Sequence, residues 1–247
     1  MLKIFNIKGI IQFVRAALAF QLQDLVGLSN IIKREEELRD RLWSEIQKMN
    51  AEWKEKGQQT DINVLGTHNF QNRLSVFSVQ IKDPQGNIYN HMLIHRLLND
   101  VFGVQVRSGC NCAGPFGIQL LSLTEERVNY LAEEFKKGVM IEKPGWLRFN
   151  IHYSFTEEDF NYLVFSLRFC SEYGREIESK FYQRNEDGSY CIRQERKINH
   201  KSTLHSISHE LTLDISDLCH LEEIQEEKRN HHLTQRKEQV QKFLGKN

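Results

Sequence analysis

The sequence is short of several things at once, and each shortage closes off a class of protein. Three prolines and fourteen glycines in 247 residues are too few for a collagen-like, low-complexity or loop-dominated chain. No apolar run approaches the roughly 20 residues that a membrane-spanning helix requires; the longest near the start is Ala16 to Phe20. Neither sign of charge is in excess, since 33 Lys and Arg stand against 33 Asp and Glu. That balance removes the electrostatic ground for a nucleic-acid binder or a cationic membrane-surface protein, so neither partner is expected. The cysteines Cys110, Cys112, Cys170, Cys191 and Cys219 are odd in number and scattered, which argues against a secreted disulfide framework and for free thiols in a reducing, cytoplasmic setting. Residues 1 to 23 carry Lys3, Lys8 and Arg15 and no acid, as a mitochondrial transit peptide does. The same stretch also reads as a helix of the fold.

What is present is a succession of helix and strand patterns. Ile10, Val14, Ala17 and Leu18 predict a helix from Asn6 to Gly27 with one buried stripe, stopped by the glycine. Leu38, Leu42, Ile46, Met49 and Trp53 step by three and four along a second, longer helix that ends before Gly57. Leu74 to Ile81 predicts a strand closed by the turn Asp83-Pro84-Gln85-Gly86. Tyr89, Leu93, Leu97 and Val101 give a further helix, and Val104 to Arg107 a short alternating strand. Thr124 is placed to cap a helix running to Lys136, with Val128, Leu131 and Phe135 inward. After the Pro144-Gly145 turn, Leu147, Phe149, Ile151 and Tyr153 alternate with Trp146, Arg148, Asn150 and His152, the clearest strand in the chain. Thr156 to Asp159 is a capping box opening a helix whose Phe160, Leu163, Val164 and Leu167 pack inward. The expected fold is a small α/β sandwich (α+β) of about three strands with helices on one side. Residues 1–28 form its entry helix, 29–195 its body, and 196–247 a polar extension in which Leu218 to Leu244 forms a charged helix or stays mobile.

The residues that could carry chemistry gather in two places. Arg107-Ser108-Gly109-Cys110-Asn111-Cys112-Ala113-Gly114-Pro115-Phe116-Gly117 is a tightly turned loop after a strand. Its thiols read either as small packing residues or, beside a guanidinium, as thiols drawn towards reactive thiolate. A zinc site is not expected there, because a Cys-x-Cys pair has no second ligand pair at suitable spacing. Arg148, between Trp146 and Asn150 on the polar face of its strand, is either a rim residue or a fixed fork for a carboxylate. His91 and His95 stand one turn apart without a third ligand, His152 reads as structural, and Glu35-Glu36-Glu37 as solvated surface.

That loop, with Leu98 to Val106 before it and Lys143 to Tyr153 after it, resembles the C-terminal region of class V aminotransferases, the fold type I pyridoxal-phosphate transferases that include the cysteine desulfurases. Val14 to Gln23 also looks like the helix by which the chain re-enters the small domain in that group, and the resemblance spans residues 6 to 192. It implies that Cys112 stands where the persulfide-forming thiol nucleophile stands and that Arg148 receives the substrate carboxylate, with Arg107 and Asn150 as further substrate-binding candidates. It implies pyridoxal phosphate as the cofactor. The large domain, its Schiff-base lysine and the phosphate-binding Gly-Gly-Thr segment have no counterpart in these 247 residues, so cofactor-binding residues are unassigned and metal ligands none. The implied protein is the C-terminal domain of such an enzyme, a gene fragment or a divergent relative, inactive alone. The alternatives are half of a split enzyme completed by a large-domain chain, a homodimer as in the family, or a protein-interaction module.

Overall fold

The computed structural model describes residues 7–67, 73–109, 114–138, 143–185 and 187–193. In chain order it comprises α1 (Ile7–Val26), α2 (Leu28–Glu55), β1 (Asp61–Val64), β2 (Val76–Lys82), α3 (His91–Phe102), β3 (Arg107–Gly109), α4 (Gly114–Leu120), α5 (Glu125–Lys136), β4 (Trp146–Asn150), α6 (Glu157–Phe181), β5 (Tyr182–Arg184) and β6 (Tyr190–Ile192). Four strands form one antiparallel sheet in the order β1-β2-β4-β3, and β5 and β6 form a separate hairpin. The class is mixed α and β, as expected, but the sheet has a fourth strand. β1 was too short and too polar, as Asp61-Ile62-Asn63-Val64, to show in the periodicity.

The sheet's two faces differ in kind. Phe77, Val79 and Ile81 of β2 and Leu147 and Phe149 of β4 are buried, and the registers Phe77↔Phe149 and Val79↔Leu147 stack them on one side. The Phe77 and Phe149 rings lie nearly parallel with centroids 5.8 Å apart. Against this face pack α2, α3 and α6, whose Leu38, Leu42, Ile46, Met49, Trp53, Leu93, Leu97, Leu163 and Leu167 join it in a single core. The α2 stripe is covered along its whole length, and Trp53 closes it by donating its indole N–H to Glu172 at 2.7 Å.

Polar contacts fix how these helices meet the sheet. Tyr162 on α6 donates its hydroxyl to the Phe102 carbonyl at 2.8 Å, tying α6 to the end of α3. Asp83, at the turn after β2, accepts from Arg175 Nε of α6 at 2.8 Å and from the backbone N–H groups of Gln85 and Asn87. Gly174 is required beside this joint, because a Cβ there would stand 2.9 Å from the Tyr89 ring. The capping box at the head of α6 is formed as read: Thr156 accepts from the Asp159 N–H, and Asp159 accepts from the Thr156 N–H.

Several expectations need correction. The first helix exists, but its stripe is not buried: Ile10, Val14 and Leu18 are more than half exposed, because the main contacts of α1 among the described residues are with α2 alone. The strand expected over Val104 to Arg107 begins instead at Arg107. Gly103 ends α3 in the left-handed conformation, and the Val104 N–H then returns to the Leu98 carbonyl, so this stretch finishes the helix before β3 meets β4. The strand expected to reach Tyr153 stops at Asn150; His152 and Ser154 form a side-chain-bridged turn at 2.7 Å. Trp146 is buried although it belongs to the polar face of its strand. On α5 only Leu131 is buried, Val128 and Phe135 being half-exposed, and Val164 on α6 is likewise only half-buried. No helix among the described residues is long and apolar enough to cross a membrane. The polar extension lies outside the described residues.

Candidate functional site

The open face of the sheet carries the site. Arg148 lies at the middle of β4, and the registers place Ser78 of β2 on one side of it and Arg107 of β3 on the other. Directly opposed residues of an antiparallel pair present their side chains on the same face, so the two guanidinium groups share one surface. Like charges so opposed are unfavourable in a bare sheet. Among the described residues, neither Arg107 nor Arg148 has an ion-pair or hydrogen-bond partner for its side chain.

Both arginines line a concavity of about 600 Å³, together with Asn150, Gln105, Ser75 and Glu35. Arg107 is exposed and Arg148 half-buried, so the pair stands at a graded, partly dry edge of the sheet. The short strands make this possible. Strict alternation sends Leu147 and Phe149 to the core and leaves Arg148 and Asn150 outward, and β3 begins at Arg107 where its partner is Arg148. The sequence reading took Arg148, Arg107 and Asn150 as substrate-binding candidates, and the structure brings all three to one concavity. Sequence reasoning missed Glu35, which it left among solvated charges. Glu35 is half-buried and accepts from the Ser75 hydroxyl at 2.9 Å. Its position three residues before Leu38, at the edge of the α2 stripe, was the available signal.

Cys110 and Cys112 fall in residues 110–113, outside the described residues, so the relation of Arg107 to the Cys112 thiol lies there too. The described flanks are Gly109 at the end of β3 and Gly114 at the start of α4. Gly109 has φ of 107°, a region that favours glycine. Gly145 is held just as closely, since a Cβ on it would lie 2.7 Å from Gly109 Cα and 2.5 Å from His91 Nε2. The chain therefore leaves the sheet through a passage only glycines permit.

The remaining candidates are structural. His91 is buried, its Nε2 lies 3.2 Å from the Lys143 carbonyl, and burial pushes its pKa down. His95 is half-buried on the next turn, and burial lowers its pKa as well. Cys170 is completely enclosed, and burial pushes its thiol up, away from thiolate. Cys191 donates to Asn185 Oδ1 at 3.3 Å. No group of three His, Cys, Asp or Glu able to hold a metal converges among the described residues. No lysine is among the described residues that line the arginine concavity. Its guanidinium groups suit a substrate's carboxylate, and these residues do not fit pyridoxal phosphate, which needs an amine for its carbonyl.

The chain was compared with protein-family models, curated proteins and solved structures, and it matches none of them.

Proposed function

We propose that the chain is the small, C-terminal domain of a class V aminotransferase or cysteine desulfurase-like transferase of fold type I, and that its open sheet face receives the carboxylate of an amino-acid substrate. The observation that supports this reading is the opposed pair Arg107 and Arg148 on one concavity, neither with an ion-pair partner among the described residues. An anion between them relieves their mutual repulsion. A guanidinium also offers two parallel N–H donors that match a carboxylate, a geometry an ammonium cannot reproduce. Asn150 adds an amide at the same rim. In this reading Cys112 is the thiol nucleophile of the adjoining loop, and the chemistry of pyridoxal phosphate, an electron sink at the substrate's α-carbon, is supplied by a large domain. Arg148, Arg107 and Asn150 bind and orient the carboxylate.

Arg148→Lys is expected to weaken binding of a small α-amino acid about ten- to a hundredfold by calorimetry, the loss of a charge-assisted hydrogen bond. An unchanged affinity would make Arg148 a rim residue and remove the reading's support. Pyridoxal phosphate should form no stoichiometric, borohydride-reducible adduct with the chain alone; a one-to-one adduct at a single lysine would contradict the assignment. A second reading, half of a split enzyme completed by a large-domain chain or an interaction module, draws support from α1, whose Phe13 is 79% and Leu25 86% exposed. Such a face is more typical of an interface than of a free surface.

A further inference from the structure

Beyond the arginine concavity, and sharing no residue with it, two other cavities share a wall. One, of about 270 Å³, lies between α4 and α5, and its lining includes Ile118, Val128, Ala132 and Phe135. The other, of about 350 Å³, lies by the first turn of α3 and is bordered by His91, Arg127, Lys143 and Arg184, with no carboxylate among the described residues of its lining. Leu121, Leu123, Leu131, Lys143 and Pro144 belong to both. The apolar slot thus lies beside the cationic basin, with these five residues between them.

Two of the basin's cations have their guanidinium groups over aromatic rings, Arg127 over Tyr130 at 5.0 Å and Arg184 over Tyr190 at 5.8 Å. Lys143 is exposed, and among the described residues its ammonium has no carboxylate partner. Its own carbonyl is engaged by His91, which anchors the backbone below the ammonium. The backbone N–H groups at the start of α3 add a partial positive charge to the same rim.

We propose that the two cavities form one binding site for a single-chain amphipathic anion, a medium-length carboxylate or alkyl phosphate, its tail between α4 and α5 and its head at Lys143. A cavity of about 150 Å³ is enough to hold benzene, so a slot of about 270 Å³ takes a tail of about eight to ten carbons. The basin beyond it gives the head room without burying its charge. This site is independent of the carboxylate reading of Arg148.

The test is calorimetry of the full chain with a ladder of linear carboxylates from hexanoate to tetradecanoate, each below its aggregation concentration. Affinity should rise about fourfold per methylene, the worth of one buried CH₂, and level off near ten carbons as the slot fills. Decanoate should bind about fivefold or more tightly than decanol, and Lys143→Glu should erase that advantage. Decyl phosphate, run in parallel, tells which head the basin prefers. Ala132→Trp should flatten the ladder by filling the slot. The ladder on the unmodified chain stands alone if either variant fails to fold. No saturable binding at any length, an affinity that keeps climbing past the slot's capacity, or equal binding of decanol and decanoate would overturn the proposal.

Discussion

α1 and α2 follow one another through Gly27, both carry apolar side chains at helical spacing, and only one of them is covered. On α2 the apolar residues form a narrow stripe, with charge elsewhere around the helix, and Leu38, Leu42, Ile46, Met49 and Trp53 have no exposed surface. On α1 they spread over much of the circumference, from Ile10 and Ile11 through Phe13, Val14 and Leu18 to Phe20, Leu22 and Leu25, and every one of them is more than half exposed. Apolar residues spread this far round a helix leave no single face that one neighbouring element can cover. The pairing teaches that period identifies the apolar face of a helix, whereas the presence of a cover is a tertiary fact that no local pattern carries.

The comparison can be broken most sharply in the core. Trp53→Ala should cost about 3 to 5 kcal/mol in urea unfolding, the cost of a large cavity, with the loss of the bond to Glu172 included. A cost below 1 kcal/mol would mean that α2 is no better covered than α1. Next in size is the joint at Asp83. Burial disfavours its charge, but the hydrogen bonds from Arg175 and Asn87 outweigh it and hold the carboxyl below its ordinary 3.8. A depressed folded-state pKa contributes stability above the unfolded value and loses it as pH falls through the folded one. Asp83→Asn should therefore cost about 1.5 to 3 kcal/mol at neutral pH, and the difference should shrink as the pH falls below about 4. A difference that stays constant into acid would show that the carboxylate's charge is not what holds the joint. Thr156→Ala, removing one half of the α6 capping box, should cost about 1 kcal/mol, read from the same unfolding curves. Smallest of all, Leu18→Ala on α1 should change stability by less than about 0.5 kcal/mol. A loss comparable with a core truncation would mean that α1 is covered in solution.

Much of the fold was legible because its strongest signals are local. The α2 stripe, the Thr124 and Thr156 caps and the alternation at Leu147 and Phe149 each follow from side-chain period or capping chemistry, and each is found where the residues put it. β1 was illegible because four residues pairing with a longer strand need almost no pattern of their own. β3 was misplaced because Val104 and Val106 look like a strand while the Gly103 cap spends that stretch ending a helix. At the candidate site, Arg148 and Asn150 were readable from alternation. Arg107 was singled out through its loop, and only the register with β4 shows that it shares a concavity with Arg148. Glu35 was hidden because it enters that concavity from a helix far away in sequence, and long-range convergence leaves no mark in local spacing.

The most direct test of the account is whether the opposed arginines act together on a carboxylate. With the chain labelled with ¹⁵N, the side-chain Nε–H resonances of Arg148 and Arg107 can be followed during titration with L-alanine, and again with methylamine. The account predicts that both resonances move saturably with one common dissociation constant in L-alanine, that neither moves in methylamine, and that the Arg107 shift is lost in Arg148→Lys. It would be contradicted if neither resonance moved in L-alanine, or if the resonances of Arg41 and Arg168, which pair with Glu157 and Glu52 elsewhere, moved as far as those of Arg148 and Arg107.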